Sequence, residues 1–199
     1  EGAIPISTIL RDYLNVCDTK REAKIILNDG AVLVDQRVVR EPKTAVGLMD
    51  VISLPKIKIN LRAVLDNHGR IQFVDLKSTE AKWKLVRVEN KVVVKGGKTQ
   101  LNLHDGTNLI SDKKVKTGDV LQLSLPNMKI KKILEFKEGA QTLITGGAHV
   151  GSIAKIKEIE ITRSTKPNLV MYDDFQTIKP YSFVIGEKKA MITLPEVKV

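Results

Sequence analysis

The sequence has 199 residues, 42% of them apolar and 4% aromatic, and a formal net charge of +10 at pH 7. The basic charge favours a polyanionic partner, nucleic acid first and an acidic membrane second, and the few aromatic residues argue against a base-stacking platform for single strands. No apolar run reaches the roughly 18–20 residues that span a bilayer, and no signal-like segment opens the chain. The single cysteine, Cys17, excludes an intrachain disulfide and a four-thiolate zinc site, and we interpret it as a packing residue of an intracellular protein with one to three small domains.

The positive charge is unevenly distributed along the chain. Residues 1–55 contain seven basic and eight acidic residues, residues 56–138 contain 18 and nine, and residues 139–199 contain eight and six. Solubility alone does not require such a one-sided excess in the middle segment, which is therefore a candidate surface for an anionic partner. The alternative is that many of these lysines are ordinary solvated side chains.

The first segment predicts two helices followed by short strands. Apolar residues recur at helical spacing over 7–16. A second helix begins after Thr19, where Glu22 completes a capping box, and ends at Gly30, which suits a left-handed C-terminal cap. Two strands then flank a polar turn at 35–37, and a third, apolar strand enters through a glycine and ends near residue 54.

This order of elements is a compact αL-type unit, and with its basic second helix and VDQRVV turn it resembles the S-four RNA-binding domain over residues 7–54. In that family the second helix and the following turn contact RNA. The resemblance implies the following RNA-binding residues: Lys20, Arg21, Lys24, Arg37 and Arg40. The alternative is a small α/β unit with ordinary solvated charges.

The middle segment, 56–138, alternates short strands with glycine-containing turns. These turns predict a series of hairpins, and they lie at Asn67-His68-Gly69, Gly96-Gly97, Asp105-Gly106 and Gly118-Asp119. A short helix that carries Trp83 is predicted after a capping Ser78 or Thr79. We expect a β-barrel-like domain with this one helical insert, since no helix–strand alternation of the doubly wound kind is present.

The third segment, 139–199, contains the stretch TGGAHVGSIAKIKEI at 145–159, which raises the question of a phosphate-binding loop. A P-loop needs lysine after its second glycine, but Ser152 occupies that place, and an alternating strand follows instead of a helix. The partial match at Gly97-Lys98-Thr99 fails for similar reasons, and no dinucleotide fingerprint is present. We interpret the glycines as turn residues instead, and they are Gly146, Gly147 and Gly151.

The same stretch resembles the KOW motif of ribosomal proteins and transcription elongation factors over about residues 139–165. That motif builds part of a small SH3-like barrel, in which the glycine at the position of Gly151 allows a tight turn. The resemblance implies a C-terminal SH3-like KOW barrel. It places His149 at the tip of the turn and makes Lys155 and Lys157 candidate RNA contacts; contact between the turn itself and RNA is left open.

No motif for catalysis or metal binding is recognisable. His68, His104 and His149 are far apart in sequence and each lies in or beside a glycine turn, so we interpret them as turn residues or RNA contacts. No nucleophile elbow, HExxH or Cys/His dyad is present. We therefore expect no enzyme activity, no metal and no cofactor.

The order of the three segments resembles the S-four-e family of archaeal and eukaryotic small-subunit ribosomal proteins over nearly all of residues 1–195. The resemblance implies a cytoplasmic structural component of the small ribosomal subunit that binds its rRNA and neighbouring ribosomal proteins, with no membrane and no small-molecule substrate. Lys113 and Lys114 of the basic middle segment are added as RNA contacts. Family members usually have a basic arm before the first helix, and this sequence starts almost at that helix, so no arm contacts are assigned.

The sequence thus predicts an α+β protein that is predominantly β, with domains at 1–55, 56–138 and 139–199. Two alternatives come from other functional classes: an RNA-modifying enzyme with an S-four module, and a KOW-bearing transcription factor. The first would need a catalytic domain, for which the middle segment is small and lysine-rich. The second would not need the S-four-like unit.

Overall fold

The computed structural model describes residues 2–163, 165–187 and 189–193, in which strands far outnumber helices. Helix α1 (Ile6–Thr8) continues as a π-helical segment (Ile9–Tyr13), and helix α2 (Lys20–Asn28) follows. The strands up to residue 75 are β1 (Ile4–Pro5), β2 (Leu33–Val34), β3 (Arg37–Val38), β4 (Ala45–Val46), β5 (Val51–Leu54), β6 (Ile59–Leu65) and β7 (Ile71–Asp75).

Helix α2 forms where the sequence predicts it, because both of its ends are satisfied locally. The Thr19 hydroxyl accepts a hydrogen bond from the Glu22 amide at 3.3 Å, and the Glu22 carboxylate accepts one from the Thr19 amide at 3.4 Å, so the capping box is confirmed. Gly30 follows the helix with φ of +66°, as a left-handed cap requires. Ala23 and Leu27 are fully buried and fix the helix on the first core.

The first sheet runs in the order β3–β2–β5–β6–β7, with every neighbouring pair antiparallel. Strand β5 is buried at all four positions and pairs with β2 on one side and β6 on the other. The predicted division after residue 55 therefore falls inside this sheet, in the hairpin between β5 and β6. A separate two-stranded ladder joins β1 to β4.

The middle segment forms a second five-stranded antiparallel sheet in the order β10–β9–β8–β11–β12. Its strands are β8 (Trp83–Val93), β9 (Thr99–Leu103), β10 (Asn108–Ser111), β11 (Val120–Ser124) and β12 (Lys129–Leu134). The Gly96-Gly97 and Asp105-Gly106 turns close the β8–β9 and β9–β10 hairpins, as the sequence predicts. Gly118-Asp119 leads into β11, which pairs with β8 and not with β10, so this turn closes no hairpin. Strand β8 is the longest, and it is buried from Lys84 to Val88 and exposed from Glu89 to Val93.

The prediction that a helix carries Trp83 is wrong. The helical insert is a single 3-10 turn at Glu80–Lys82, and Trp83 opens strand β8, where it lies opposite Ser124 of β11. Residues 83–93 are rich in β-branched residues, and the pairing of β8 with both β9 and β11 outweighs the local helix signal. The first helix also differs from expectation, because its second half is π-helical.

The third segment contributes two three-stranded sheets, ordered β14–β13–β18 and β15–β16–β17. Their strands are β13 (Gln141–Ile144), β14 (Ile153–Lys155), β15 (Glu158–Glu160), β16 (Leu169–Met171), β17 (Gln176–Ile178) and β18 (Ser182–Gly186). One buried cluster collects side chains from all three segments, among them Met49, Leu85 and Phe183. The segments thus share a core and pack against one another.

Candidate nucleic-acid interface

The exposed face of α2 carries the strongest basic cluster that the sequence assigns to the first segment. Lys20, Arg21 and Lys24 are all exposed, and Lys20 and Lys24 are four residues apart, on one face of the helix. They belong to the first turns, where the positive end of the helix dipole adds to their field. The structure therefore brings these three predicted residues together on one surface.

Arg37 lies in the β2–β3 hairpin, beside the middle segment, and not on helix α2. Asp35 and Gln36 both have positive φ, at +51° and +62°, which is the backbone of a tight two-residue hairpin turn. The Gln36 side chain donates to the Ala81 carbonyl at 3.2 Å, so the turn is tied to the middle segment. Arg37 is exposed and its guanidinium donates to the Pro126 carbonyl at 3.4 Å, whereas Arg40 is exposed just beyond β3.

Asp35 of the same turn belongs to a buried ion cluster that the sequence does not predict. The Lys84 ammonium, whose side chain is 2% exposed, lies 2.5 Å from Asp35, 3.1 Å from Asp50 and 2.7 Å from Asp105. Burial opposes the charge of Lys84, but the three carboxylates outweigh it and raise its pKa above the ordinary value. Two of these aspartates come from the first segment and one from the middle segment, so the cluster joins the two.

The carboxylates of this cluster are not equivalent. Burial and the neighbouring Asp50 raise the pKa of Asp35, with Lys84 opposing them. The pKa of Asp105 is lowered: burial opposes this, but Lys84 and two hydrogen bonds from Thr107 stabilise its charge. No local pattern distinguishes Lys84 from the exposed Lys82 in the sequence, which is why the cluster was not predicted.

Two further basic residues of the middle segment are buried. Arg62 is fully buried, donates to the carbonyls of Glu80 and Trp83, and lies over the Trp83 ring at 4.5 Å; burial lowers its pKa to about 10. Arg87 is 6% exposed, forms an ion pair with Glu89 at 2.6 Å and donates to the Pro180 carbonyl. Lys84 and Arg87 thus connect different segments, and Arg62 joins strand β6 to the start of strand β8 within the middle segment. Because all three are buried, they cannot contribute to a surface for an anionic partner.

Lys113 and Lys114, by contrast, are exposed in the loop that follows β10. The Lys113 ammonium donates to the Ile130 carbonyl at 3.4 Å and thus reaches strand β12. Strand β12 carries three more exposed lysines, at positions 129, 131 and 132. The contact of Lys113 therefore brings the loop after β10 next to the lysine-rich strand β12.

The glycine-rich turn of the third segment connects β13 to β14, as its sequence predicts, and it packs against the β6–β7 turn of the same molecule. Gly151 has φ of +79°, and a Cβ at this position would lie 2.1 Å from the carbonyl oxygen of Asp66 in the β6–β7 turn. Gly69 of that turn packs against Val150. Gly146 faces the ring of Tyr181, and Gly147 has φ of +84°. The turn therefore docks the third segment onto the first sheet, at its β6–β7 turn.

The candidate contacts around this turn are exposed but differ in their surroundings. His149 stacks on Phe175 with ring centroids 4.2 Å apart, and Phe175 in turn stacks on Tyr172. Lys155 is exposed on β14, and Lys157 is exposed 3.8 Å from Asp173. Among the described residues, no hydrogen bond, ion pair or ring contact joins His149 to the basic side chains of α2.

His104 is a partly buried residue of the core. Its ring accepts from the Arg87 amide at 3.1 Å and lies 3.2 Å from the Leu48 carbonyl, and it packs edge-on against Phe183. Burial lowers its pKa. A cavity of about 250 Å³ lies beside it, lined by Leu48, Asp50 and Asp105 among others.

Of the described residues, no group of three or more His, Cys, Asp or Glu could hold a metal ion, and none of their helices has the length and apolar character of a membrane span.

The fold and its exposed basic surfaces define the class: an S4-domain protein with a β-rich body. The model of the S4 domain matches residues 5–52, and the model of ribosomal family S4e matches residues 57–130. The chain belongs to ribosomal family S4e.

Relatives cover nearly the whole chain. It is 45% identical to the small ribosomal subunit protein eS4 of Methanosphaera stadtmanae and 43% identical to that of Methanothermobacter thermautotrophicus, in each case over 98% of this chain and 82% or 83% of the relative. The crystal structure of the 30S ribosomal protein S4e from Thermoplasma acidophilum is similar, with a TM-score of 0.82, 39% identity, and coverage of 94% of this chain and 96% of that one.

Proposed function

We propose that this protein is a structural, non-enzymatic component of the small ribosomal subunit in the cytoplasm, where it binds and orders rRNA beside neighbouring ribosomal proteins. The observation that carries the proposal is the exposed triad Lys20, Arg21 and Lys24 on a capped helix of a chain in family S4e. The relatives' names place them in the small subunit. Neither alternative, the modifying enzyme or the transcription factor, has support from these relatives.

Affinity in this proposal comes mainly from lysine and arginine contacts to phosphates, through release of counterions. RNA duplexes conceal their base edges in a deep major groove, so recognition is of shape and backbone. The contacts comprise the α2 triad, Arg37 and Arg40 around the β2–β3 turn, and Lys113 and Lys114 of the middle segment. Because the segments share a core, these surfaces are held at fixed separations, and weak individual contacts add up to tight binding.

We also propose that the third segment forms an SH3-like KOW barrel; of the predicted range 139–199, residues 164, 188 and 194–199 lie outside the described residues. The β13–β14 hairpin with its tight turn at Gly151, and the pairing of β18 with β13, support this proposal. His149, Lys155 and Lys157 are the RNA contacts that it assigns to the barrel. In this view the segments 1–55, 56–138 and 139–199 are units of recognition that share packing, rather than separately folding bodies.

The test compares two triple variants that change the net charge equally. The Lys20→Glu, Arg21→Glu, Lys24→Glu variant removes the triad, and the Lys56→Glu, Lys58→Glu, Lys77→Glu variant reverses three other exposed lysines. Binding to small-subunit rRNA is measured against salt concentration. We expect only the α2 variant to bind much more weakly than the wild type. Its slope of log affinity against log salt should fall in magnitude by about 2–3, one for each lost phosphate contact.

Equal losses in the two variants would show that only net charge matters and would refute the assignment of the contact to α2. Wild-type affinity that does not depend on salt would refute the electrostatic mechanism itself. Far-ultraviolet circular dichroism and urea unfolding of each variant verify that the fold is intact.

A further inference from the structure

One face of strands β8, β9 and β10, near the β8–β9 turn, is built of uncharged side chains, and we call it the amide face. Its residues are Asn90, Val92, Gln100, Asn102, Asn108 and Ile110. Strand pairing defines it, because residues directly opposite each other in antiparallel strands point to the same side. Asn102 of β9 lies opposite both Asn90 of β8 and Asn108 of β10. In the next row, Gln100 lies opposite Val92 and Ile110.

The amide face is open to solvent among the described residues. Val92 is 49% exposed and Ile110 63% exposed, which is high for β-branched apolar side chains on a sheet. The side-chain amide of Gln100 donates from Nε2 to the side-chain oxygen Oδ1 of Asn102 at 3.0 Å, so these two central side chains orient each other. On the opposite side of the same strands, Leu101 and Leu103 are buried in a core cluster. That core cluster covers the inner side only.

Lysines border the amide face. Lys95 and Lys98 lie in the β8–β9 turn, and Lys113 and Lys114 follow β10; all four are exposed. The exposed acidic residue beside them is Asp112. Glu89, at the base of β8 next to a β-bulge, is already paired with Arg87 at 2.6 Å. All four lysines lie at one end of the face, because Val93, Thr99 and Ser111 are directly opposite one another where β8 ends, β9 begins and β10 ends, so the amide face is positive at that end.

We propose that the amide face binds the minor groove of an RNA duplex, as a second RNA contact separate from α2; this inference rests on the proposed function. Side-chain amides both donate and accept hydrogen bonds, and so does the 2′-hydroxyl that lines the wide, shallow minor groove of A-form RNA. Val92 and Ile110 contact the ribose, and the lysines at one end of the face contact the phosphates that border the groove on that side. Three strands span roughly 10 Å, which suits a shallow groove.

The composition of the amide face favours RNA over a protein partner. The buried centres of protein interfaces are enriched in aromatic residues, Met and Arg and depleted in Lys. The amide face has none of the enriched types, and four lysines border it. A B-form DNA duplex does not offer the same partner, because its minor groove is narrow and lacks the 2′-hydroxyl.

The test uses the full chain, an RNA duplex of about 16 base pairs, and the DNA duplex of the same sequence. Ile110→Glu puts a negative charge on the amide face, and Ile161→Glu is its matched control, since Ile161 is 75% exposed in the third segment. We expect Ile110→Glu to weaken binding of the RNA duplex about tenfold or more, and Ile161→Glu to change it less than about threefold. The Asn90→Ala, Asn108→Ala double variant should weaken RNA binding without changing the salt slope and leave DNA binding unchanged.

Equal effects of the two isoleucine variants, or equal losses with RNA and DNA in the asparagine variant, would overturn the proposal. So would photocrosslinks from position 110 in reconstituted subunits that reach only a ribosomal protein. If the α2 triple variant loses rRNA binding while these variants do not, the proposed function stands and this contact falls. If the wild-type chain does not bind small-subunit rRNA, the proposed function itself fails.

Discussion

Replacement of Gly151 by alanine tests how the third segment is docked. With φ of +79°, alanine at this position costs about 1–2 kcal/mol for the left-handed backbone alone. Its Cβ would also lie 2.1 Å from the Asp66 carbonyl oxygen, where ordinary contact begins near 3.4 Å, so the two turns must separate by about 1.3 Å. Displacements of this kind in packed interiors cost about 1–3 kcal/mol. We expect Gly151→Ala to destabilise the protein by about 2–5 kcal/mol.

Gly97 provides the matched control for this substitution. It has φ of +73°, close to that of Gly151, but a Cβ there would meet no atom within 4 Å. Gly97→Ala therefore isolates the backbone cost, and the difference between the two variants measures the contact with Asp66. Urea unfolding at equilibrium gives both free energies. If Gly151→Ala is no more destabilising than Gly97→Ala, the docking of the two turns does not stabilise the protein and our reasoning is wrong.

Two other substitutions test the buried charges and the helix cap. Lys84→Met leaves three carboxylates without their cation, so we expect a loss of about 3–5 kcal/mol at pH 7 in urea unfolding, against little change for the exposed Lys82→Met. This deficit should shrink as the pH falls towards about 4, because the abandoned carboxylates then take up protons, and a deficit that grows on acidification would contradict the cluster. In the wild type, the raised pKa of Lys84 means that its contribution is complete below 10.5 and is lost as the pH rises through the higher folded-state value. Thr19→Ala removes the cap of α2 and should cost about 1 kcal/mol, with helix content by circular dichroism lowered; an unchanged unfolding midpoint would argue against the cap. Hydrogen bonds from the Asp18 and Thr19 amides lower the pKa of Glu22, so the stability that it adds is present above pH 4.5 and is lost as the pH falls through its folded value.

Local signals predicted the features that depend on neighbours in sequence. The cap at Thr19, the end of α2 at Gly30 and the hairpin at Gly96-Gly97 follow from residues within a few positions of one another. The helix at Trp83 was predicted wrongly because the pairing of β8 with β11, some 40 residues away, decides that segment.

Burial of charged residues depends on distant partners as well. Lys84 reaches Asp35 from 49 positions away, and the two are adjacent only after the first and second sheets have packed together. Fewer basic residues therefore reach the surface of the middle segment than its composition indicates, because Arg62, Lys84 and Arg87 are buried. The exposed candidates on α2 and after β10 were identifiable because helix periodicity and turn position determine exposure locally.

The shared first sheet has a consequence for synthesis of the chain. Strand β5 is complete once residue 54 has left the translating ribosome, but its partner β6 is complete only at Leu65, and β7, which pairs with β6, ends at Asp75. Until then a nascent chain presents an apolar strand edge to its surroundings, the kind of edge that pairs with other chains. Truncation near residue 55 would fix the protein in that aggregation-prone state, whereas a fragment that ends after residue 75 covers it.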